Sequence, residues 1–327
     1  MKKAMVTGGG GFIGSYLVRS LVRGGWQVSV VDNLARGRVA RLDDVIDDID
    51  WHQSDVRDVE AMTRAAKGAD VIFHLAAVNG TENFYNHPDV VLDVGLRGAL
   101  AVVEAGAKAG VPDLVVASSA EVYQTPPVVP TTEDVPLMLP DSLNPRFSYG
   151  GSKIVTELIA FNYFREHYSK VQAFRPHNVY GPDMGWKHVL PQFIMRAKEL
   201  AERPSDGAIP FPIQGDGSET RAFCYVDDIV DGILLMHAKG EHRNVYHIGN
   251  PEMVAITDLV TLLSEYFGRE FVPSPSAAAE GGTKVRCPDV SKMEGLGYTP
   301  AVPLKEGLVR TADWYVANTD VPENALL

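Results

Sequence analysis

Met5-Val6-Thr7-Gly8-Gly9-Gly10-Gly11-Phe12-Ile13-Gly14 decides how the rest of this chain is read. A short apolar run, Ala4 to Val6, enters a cluster of glycines, and an apolar segment from Phe12 to Val22 leaves it with helical spacing. The pattern predicts strand, tight turn, helix. Glycines at such a turn let the backbone bend sharply, approach a pyrophosphate closely and pack the helix onto the sheet. Free N–H groups at the helix start then face the phosphates. Trp26 to Val31 is a second apolar strand and ends in Asp32, at about the distance expected of the carboxylate that binds a ribose hydroxyl. Arg36, Arg38 and Arg41 raise the competing prospect of a 2′-phosphate site, which the Asp32 carboxylate opposes by repulsion.

Strands and helices alternate up to about residue 120. Trp51 to Asp58 reads as a short strand running into a helix start, with Asp55 in reach of an adenine amine and Asp58 as cap of a helix from Val59 to Lys67. Val71 to Ala77 reads as a buried strand with small residues at its end, Pro88 to Ala109 as a long helix, and Leu114 to Ala117 as a strand running into Ser118-Ser119. This alternation predicts a parallel sheet with right-handed crossovers and a ligand at the carboxyl ends of its strands. A proline-rich loop follows at 124–147. A helix that Ser148 caps then carries Tyr149, Lys153 and Glu157 to about His167, and Val171 to Arg175 forms a strand. The expected division is a dinucleotide-binding domain over 1–175, with a return segment near 225–248, and a substrate domain over 176–327 built from separated segments. In the second part, Ile256 to Phe267 reads as a helix capped by Thr257, Pro273 to Gly282 as a low-complexity loop and Lys305 to Val316 as a last helix, followed by a loose tail after Asn318.

The 327 residues are 45% hydrophobic and 22% charged, ordinary values for a globular protein. With 30 basic and 42 acidic residues the net charge is −12, which argues against a general nucleic-acid or membrane-surface binder. Cys224 and Cys287 have no metal-ligand spacing and read as reduced thiols of a cytoplasmic protein. Met1-Lys2-Lys3 opens no signal peptide, because the glycine turn arrives before an apolar h-region. His74, His87, His188 and His247 lie at no metal-binding spacing, so no metal is expected.

Tyr149 and Lys153 stand four residues apart, on one helix face. A free tyrosine, with a pKa of about 10, is a poor base at neutral pH. A nearby ammonium favours its phenolate. Such a tyrosine takes a proton from a sugar hydroxyl while hydride leaves the same carbon for a nicotinamide. Ser119 is placed to hold the same oxygen.

Taken together, these motifs resemble the extended short-chain dehydrogenase/reductases, in particular their nucleotide-sugar epimerases and dehydratases. The matching residues are Thr7-Gly8-x-x-Gly11-x-x-Gly14, Asp32-Asn33-Leu34, Asp55-Val56, His74-Leu75-Ala76-Ala77, Ser118 to Tyr123, Tyr149-Gly150-Gly151-Ser152-Lys153 and Arg175 to Pro182. Gly215-Asp216-Gly217 through Thr220 to Phe223, Tyr225 to Asp228 and Arg286 to Asp289 continue the likeness over nearly the whole chain. The resemblance implies a Rossmann-type doubly wound α/β fold, bound NAD, an NDP-sugar substrate, and a homodimer that pairs the helices following Pro88 and Ser148. It implies Ser119, Tyr149 and Lys153 as the catalytic set, with Glu121 as a fourth candidate. Around NAD it implies Gly8, Gly11, Phe12, Ile13, Gly14, Asp32, Asn33, Asp55, Val56, Leu75, Ala76, Ala77, Tyr149, Lys153 and Pro176. Around the sugar nucleotide it implies Ser119, Asn178, Lys187, Arg221 and Arg286.

Departures bear on the reaction. Val94-Gly95 stands where the family often has Asn-Asn, and His177-Asn178 is shared with GDP-mannose 3,5-epimerases, whose cysteine is replaced here by Glu121. Ala120-Glu121 lacks the acid of the dehydratases' Asp-Glu pair, while many decarboxylases carry Ser-Glu-Val-Tyr. The first expectation is a 4-epimerase working through a transient 4-keto sugar. A 3,5-epimerase, decarboxylase, 4,6-dehydratase or ketoreductase stays open, as does a catalytically silent NAD-binding module.

Overall fold

The structure, a computed structural model, describes residues 1–277 and 285–319. Strands β1 (Lys3–Thr7), β2 (Gln27–Asp32), β3 (Ile49–Gln53), β4 (Val71–His74), β5 (Asp113–Ala117) and β6 (Lys170–Pro176) form one parallel sheet with the later strand Asn244–Ile248. Its order is Asn244–Ile248, β6, β5, β4, β1, β2, β3. The order reverses between β1 and β4, and such a switch point opens a crevice at the carboxyl ends of the strands. Helices α1 (Phe12–Arg23), α2 (Val59–Ala65), α3 (Thr81–Asn86), α4 (Pro88–Ala109) and α5 (Ser148–Asn162) lie among the first six strands. The fold is the Rossmann-type α/β arrangement expected.

One core packs α2, α4 and α5 against the sheet. A second holds α1 and the returning helix Val226–Lys239 on the other face. A third is built mostly from residues after 179, including Tyr180, Phe211, Leu259 and Tyr315. Smaller sheets accompany it: Cys224–Tyr225 pairs with Val179–Tyr180, and Thr220–Ala222 lies between Met253–Ala255 and Val285–Arg286.

The departure at Gly95 has a packing reason. A Cβ there would lie 2.9 Å from the Ser152 Cβ, so glycine lets α4 settle closely on α5, the helix of Tyr149 and Lys153. Val94 beside it is buried and lines the cleft described below.

Four local expectations need correction. Ser148 does not cap α5: it is already helical, with φ −56 and ψ −44, because a 3-10 turn over Pro145–Phe147 runs straight into the helix. Its hydroxyl has no hydrogen-bond partner. The helix stops at Asn162 rather than His167. Thr257 is likewise inside its helix, Ile256–Phe267, and the first turn is closed by the Asp258 carboxylate, which accepts from the Ala255 N–H at 3.0 Å. Within the expected loop from Pro273 to Gly282, Phe271–Ser276 is a strand parallel to Ile209–Gln214. Prolines alternate along both strands, and in a two-stranded sheet every strand is an edge, where Pro leaves no ladder bond missing on its outer side. The rest of that loop, 278–282, and the tail at 320–327 lie outside the described residues. Helix α3 had no counterpart in the sequence reading.

Candidate active site

The switch point opens into a cleft of about 1090 Å³. Of the residues expected around NAD, all but Asp55 line it; of those expected around the sugar nucleotide, all but Arg221 do. The floor is built by backbone approach. A Cβ on Gly8 would lie 2.9 Å from the Ala76 N and Cα, and one on Gly14 would collide with the Gly8 carbonyl, so both positions admit only glycine. Gly8 also has φ +72, a conformation glycine takes without penalty. Asp32 is buried and held at the cleft by two N–H groups, from Gly10 at 3.0 Å and Leu34 at 2.8 Å. Burial pushes its carboxyl above the usual range, and the two bonds pull the other way. A cradle of this form, with an anchored carboxylate beside it, fits the pyrophosphate and ribose of a dinucleotide.

Asp55 sits just off the cleft wall. Arg57 holds it at 2.8 and 2.6 Å, and Asn33 donates to it at 3.4 Å. The Arg57 hydrogen bond is foremost in keeping its carboxyl below the usual range.

Ser119 starts a 3-10 turn, Ala120–Tyr123, and its Oγ accepts from the Glu121 N–H at 3.2 Å. Its hydroxyl bonds the phenol of Tyr149. Lys153 is buried, and its Nζ donates to the Ala117 carbonyl at 2.8 Å, 5.7 Å from the Tyr149 ring centre. Burial brings the Lys153 ammonium down to about 8 and pushes the Tyr149 phenol up to about 12. Desolvation outweighs the groups that lower the phenol, the Ser119 hydrogen bond first and the Arg36 charge after it.

Glu121 is gripped from two sides, by Arg286 at 2.7 Å and Arg146 at 3.5 Å. Burial alone would raise its carboxyl, but the two guanidiniums hold it below the usual range. Arg286 faces Arg221 on the adjacent parallel strand. Burial, and then the neighbouring Arg286 charge, push the Arg221 guanidinium down. Two cations brought side by side are chemically suited to an anionic group such as a diphosphate. Asn178, at φ 39, donates to the Ala222 carbonyl at 3.0 Å beside them. Lys187 forms an ion pair with Glu82 across the cleft mouth.

The sequence reading missed three residues here. Phe84 on α3 stacks on Tyr149 at 5.1 Å, Arg146 comes from the proline-rich loop, and Asp183 binds Arg38 and Arg41. None carries a motif of its own. His177 is buried away from the cleft, 4.8 Å from the ring of His247.

The buried imidazoles give a testable pH dependence. Burial drives His74 down to about 3 and His247 to about 4, and puts His177 well below its ordinary value. The unfolded chain protonates all three near pH 6.5. Between there and pH 4 it therefore binds more protons than the folded chain, so their contribution is complete above pH 6.5 and is lost as pH falls. Each imidazole gives a slope of about 1.4 kcal/mol per pH unit. Urea midpoints should drop steeply from pH 6.5 to 4.5; a flat profile would show that these rings are solvated.

The sequence model of the NAD dependent epimerase/dehydratase family matches residues 4–249. The chain belongs to that family. It is 30% identical to UDP-glucose 4-epimerase of Mycolicibacterium smegmatis, over 96% of this chain and 98% of that protein. It is 29% identical to UDP-glucuronic acid decarboxylase 1 of Xenopus tropicalis, over 96% of this chain and 72% of the other. Its fold matches the dTDP-glucose 4,6-dehydratase DesIV of Streptomyces venezuelae, solved with NAD bound, at a TM-score of 0.84 and 29% identity, over 97% of each chain. The family is enzymatic and NAD-dependent, and 4-epimerase, 4,6-dehydratase, decarboxylase and 3,5-epimerase activities all stand at about 30% identity to this chain. Among the described residues no helix is long and apolar enough to cross a membrane, and no three His, Cys, Asp or Glu side chains gather as metal ligands.

Proposed function

We propose that the chain is an NAD-dependent NDP-sugar 4-epimerase. The observation that carries this reading is the division of labour at the catalytic turn. Ser119, Tyr149 and Lys153 line the same cleft, with Ser119 bonding the Tyr149 phenol, while Glu121 is neutralised by Arg286 and Arg146 and Ala120 offers no acid. That set does acid–base work at a hydroxyl and has no unengaged carboxylate to abstract a second proton from carbon.

In this reading residues 1–175, with the return segment, hold the cofactor, and the residues from 176 hold the substrate. The glycine turn, Asp32, Asn33, Asp55 and Val56 take the adenosine and pyrophosphate; Leu75 to Ala77, Tyr149, Lys153 and Pro176 take the nicotinamide half. NAD, when bound, would supply a reversible hydride acceptor, its positively charged nicotinamide ring. Tyr149 takes the proton of the C4 hydroxyl, with Ser119 donating to the same oxygen, and returns it after the 4-keto sugar has turned over. Asn178, Arg221 and Arg286 hold the diphosphate, and Lys187 reaches a sugar hydroxyl when Glu82 releases it.

The test is turnover in D2O. The product should be inverted at C4 and should keep every carbon-bound hydrogen. Deuterium at C3 or C5 would overturn the reading and make Glu121 a base. Decarboxylation is the second reading, favoured by Arg146 and Arg286, which hold the Glu121 carboxylate at this turn and would hold a sugar carboxylate that displaced it. Release of CO2 from an NDP-uronic acid would select it.

We also read the chain as a homodimer. Leu92 and Leu100 on α4 and Val155 and Leu158 on α5 expose apolar surface on two helices that pack side by side. Sedimentation should give a dimer that Leu158→Glu dissociates; a monomeric parent protein would exclude it.

A further inference from the structure

Three arginines follow Asp32 closely, yet two of them are already spoken for. Arg41 donates from Nε to Asp183 Oδ2 at 3.0 Å, and from Nη2 to Asp183 Oδ1 at 3.0 Å and to the Asp183 carbonyl at 2.9 Å. Arg38 pairs with the same carboxylate. Arg36 turns instead to the Asn79 carbonyl. Asp183 lies far along the chain, in the loop after Gly181-Pro182, and lines the cleft with Arg38 and Arg41.

All of this is tied to the peptide that orients Asp32. The Gly10 N–H donates to Asp32 Oδ2 at 3.0 Å. The Gly10 carbonyl accepts from the Arg38 N–H at 2.9 Å and from Arg41 Nη1 at 3.1 Å. The ribose-reading carboxylate and the two guanidiniums thus sit on opposite sides of one glycine. Side-chain exposures of 19% for Arg38, 10% for Arg41 and 19% for Asp183 put the group in a partly desolvated wall, where charges act strongly.

We propose that Asp183 is a determinant of cofactor choice: by neutralising Arg38 and Arg41 it denies a counter-charge to the 2′-phosphate of NADP. Asp32 repels that phosphate, but repulsion by one carboxylate is undone if two cations beside it are left uncompensated. With Asp183 in place, the two acids balance the two arginines. Without it the group carries one net positive charge toward a ligand with up to two more negative charges than NAD. Discrimination here comes from withholding an attractive partner as well as from repulsion.

The decisive variant is Asp183→Asn. Asp183 has φ 63, a left-handed conformation that Asn and Gly take readily, and the Arg41 bond to the residue-183 carbonyl is kept. The full chain, parent and variant, is freed of bound nucleotide and titrated with NAD and with NADP. In D183N the NADP affinity should rise at least about tenfold while NAD affinity changes less than about threefold, the size expected of one unit charge near a phosphate. Adding R38A and R41A to D183N should abolish the gain. D183G, which also suits a positive φ, should reproduce it and serves if D183N folds poorly. Unchanged NADP affinity in both variants, or a gain that survives loss of both arginines, would overturn the proposal. A fall in NAD affinity with NADP still excluded would also overturn it, making Asp183 only a clasp for its loop.

Discussion

Replacing Tyr149 with Phe should lower turnover by about 10²–10⁴-fold, the range spanned by a positioned acid–base group. The ring stays. Phe84 keeps its stacking partner at 5.1 Å, and neither the glycine turn nor the Arg221 and Arg286 pair is touched. NAD and NDP-sugar affinities should therefore change little, and the effect should fall on the chemical step. What disappears is the oxygen that Ser119 bonds and that, in the proposed reading, takes the substrate's proton. Single-turnover hydride transfer, followed by nicotinamide absorbance, separates the two. Near-normal transfer would remove Tyr149 from the mechanism. Weakened binding with an unchanged chemical step would recast it as a substrate contact.

The second large effect is on stability. Glu157 and Arg175 form a buried, bidentate ion pair, with bonds of 2.8 and 2.7 Å and side-chain exposures of 6% and 4%. Ser118 donates to the same carboxylate, Arg175 also bonds Tyr123, and Tyr123 bonds His247 at 2.6 Å. His247 holds the Asp289 carbonyl at 3.1 Å and takes the Glu133 carboxylate on its own N–H at 2.8 Å. The network thus joins α5, the catalytic turn, the proline-rich loop and the segment after Arg286. Glu157→Gln keeps the shape but leaves a buried guanidinium without its counter-charge, a change that costs about 3–5 kcal/mol. Urea unfolding should show a loss in that range. A loss under about 1 kcal/mol would mean that water already relieves the pair. Turnover should fall as well, because Glu157 also raises the pKa of Lys153.

Much of this was written in the sequence. The glycine turn, the apolar strands with small residues at their ends, and Asp32 closing β2 are local signals. Each states a backbone requirement that few other residues meet, such as the close approach of Gly8 to Ala76. Tyr149 and Lys153 were legible because helical periodicity fixes two residues four apart on one face.

The rest was decided by tertiary structure, because it depends on groups that distant segments bring together. Burial, which no spacing reveals, sets the acidity of Tyr149 and Lys153. Glu121 reads in the sequence as a candidate base; it becomes an engaged carboxylate only when Arg286, 165 residues away, folds against it. The arginines after Asp32 leave a phosphate site open in the sequence, opposed only by Asp32; Asp183, 142 residues beyond Arg41, adds the second carboxylate that pairs with them. Sequence fixes which charges are available. Folding decides which of them are desolvated and which are cancelled, and at this site that decides which ligand charge the cleft accepts.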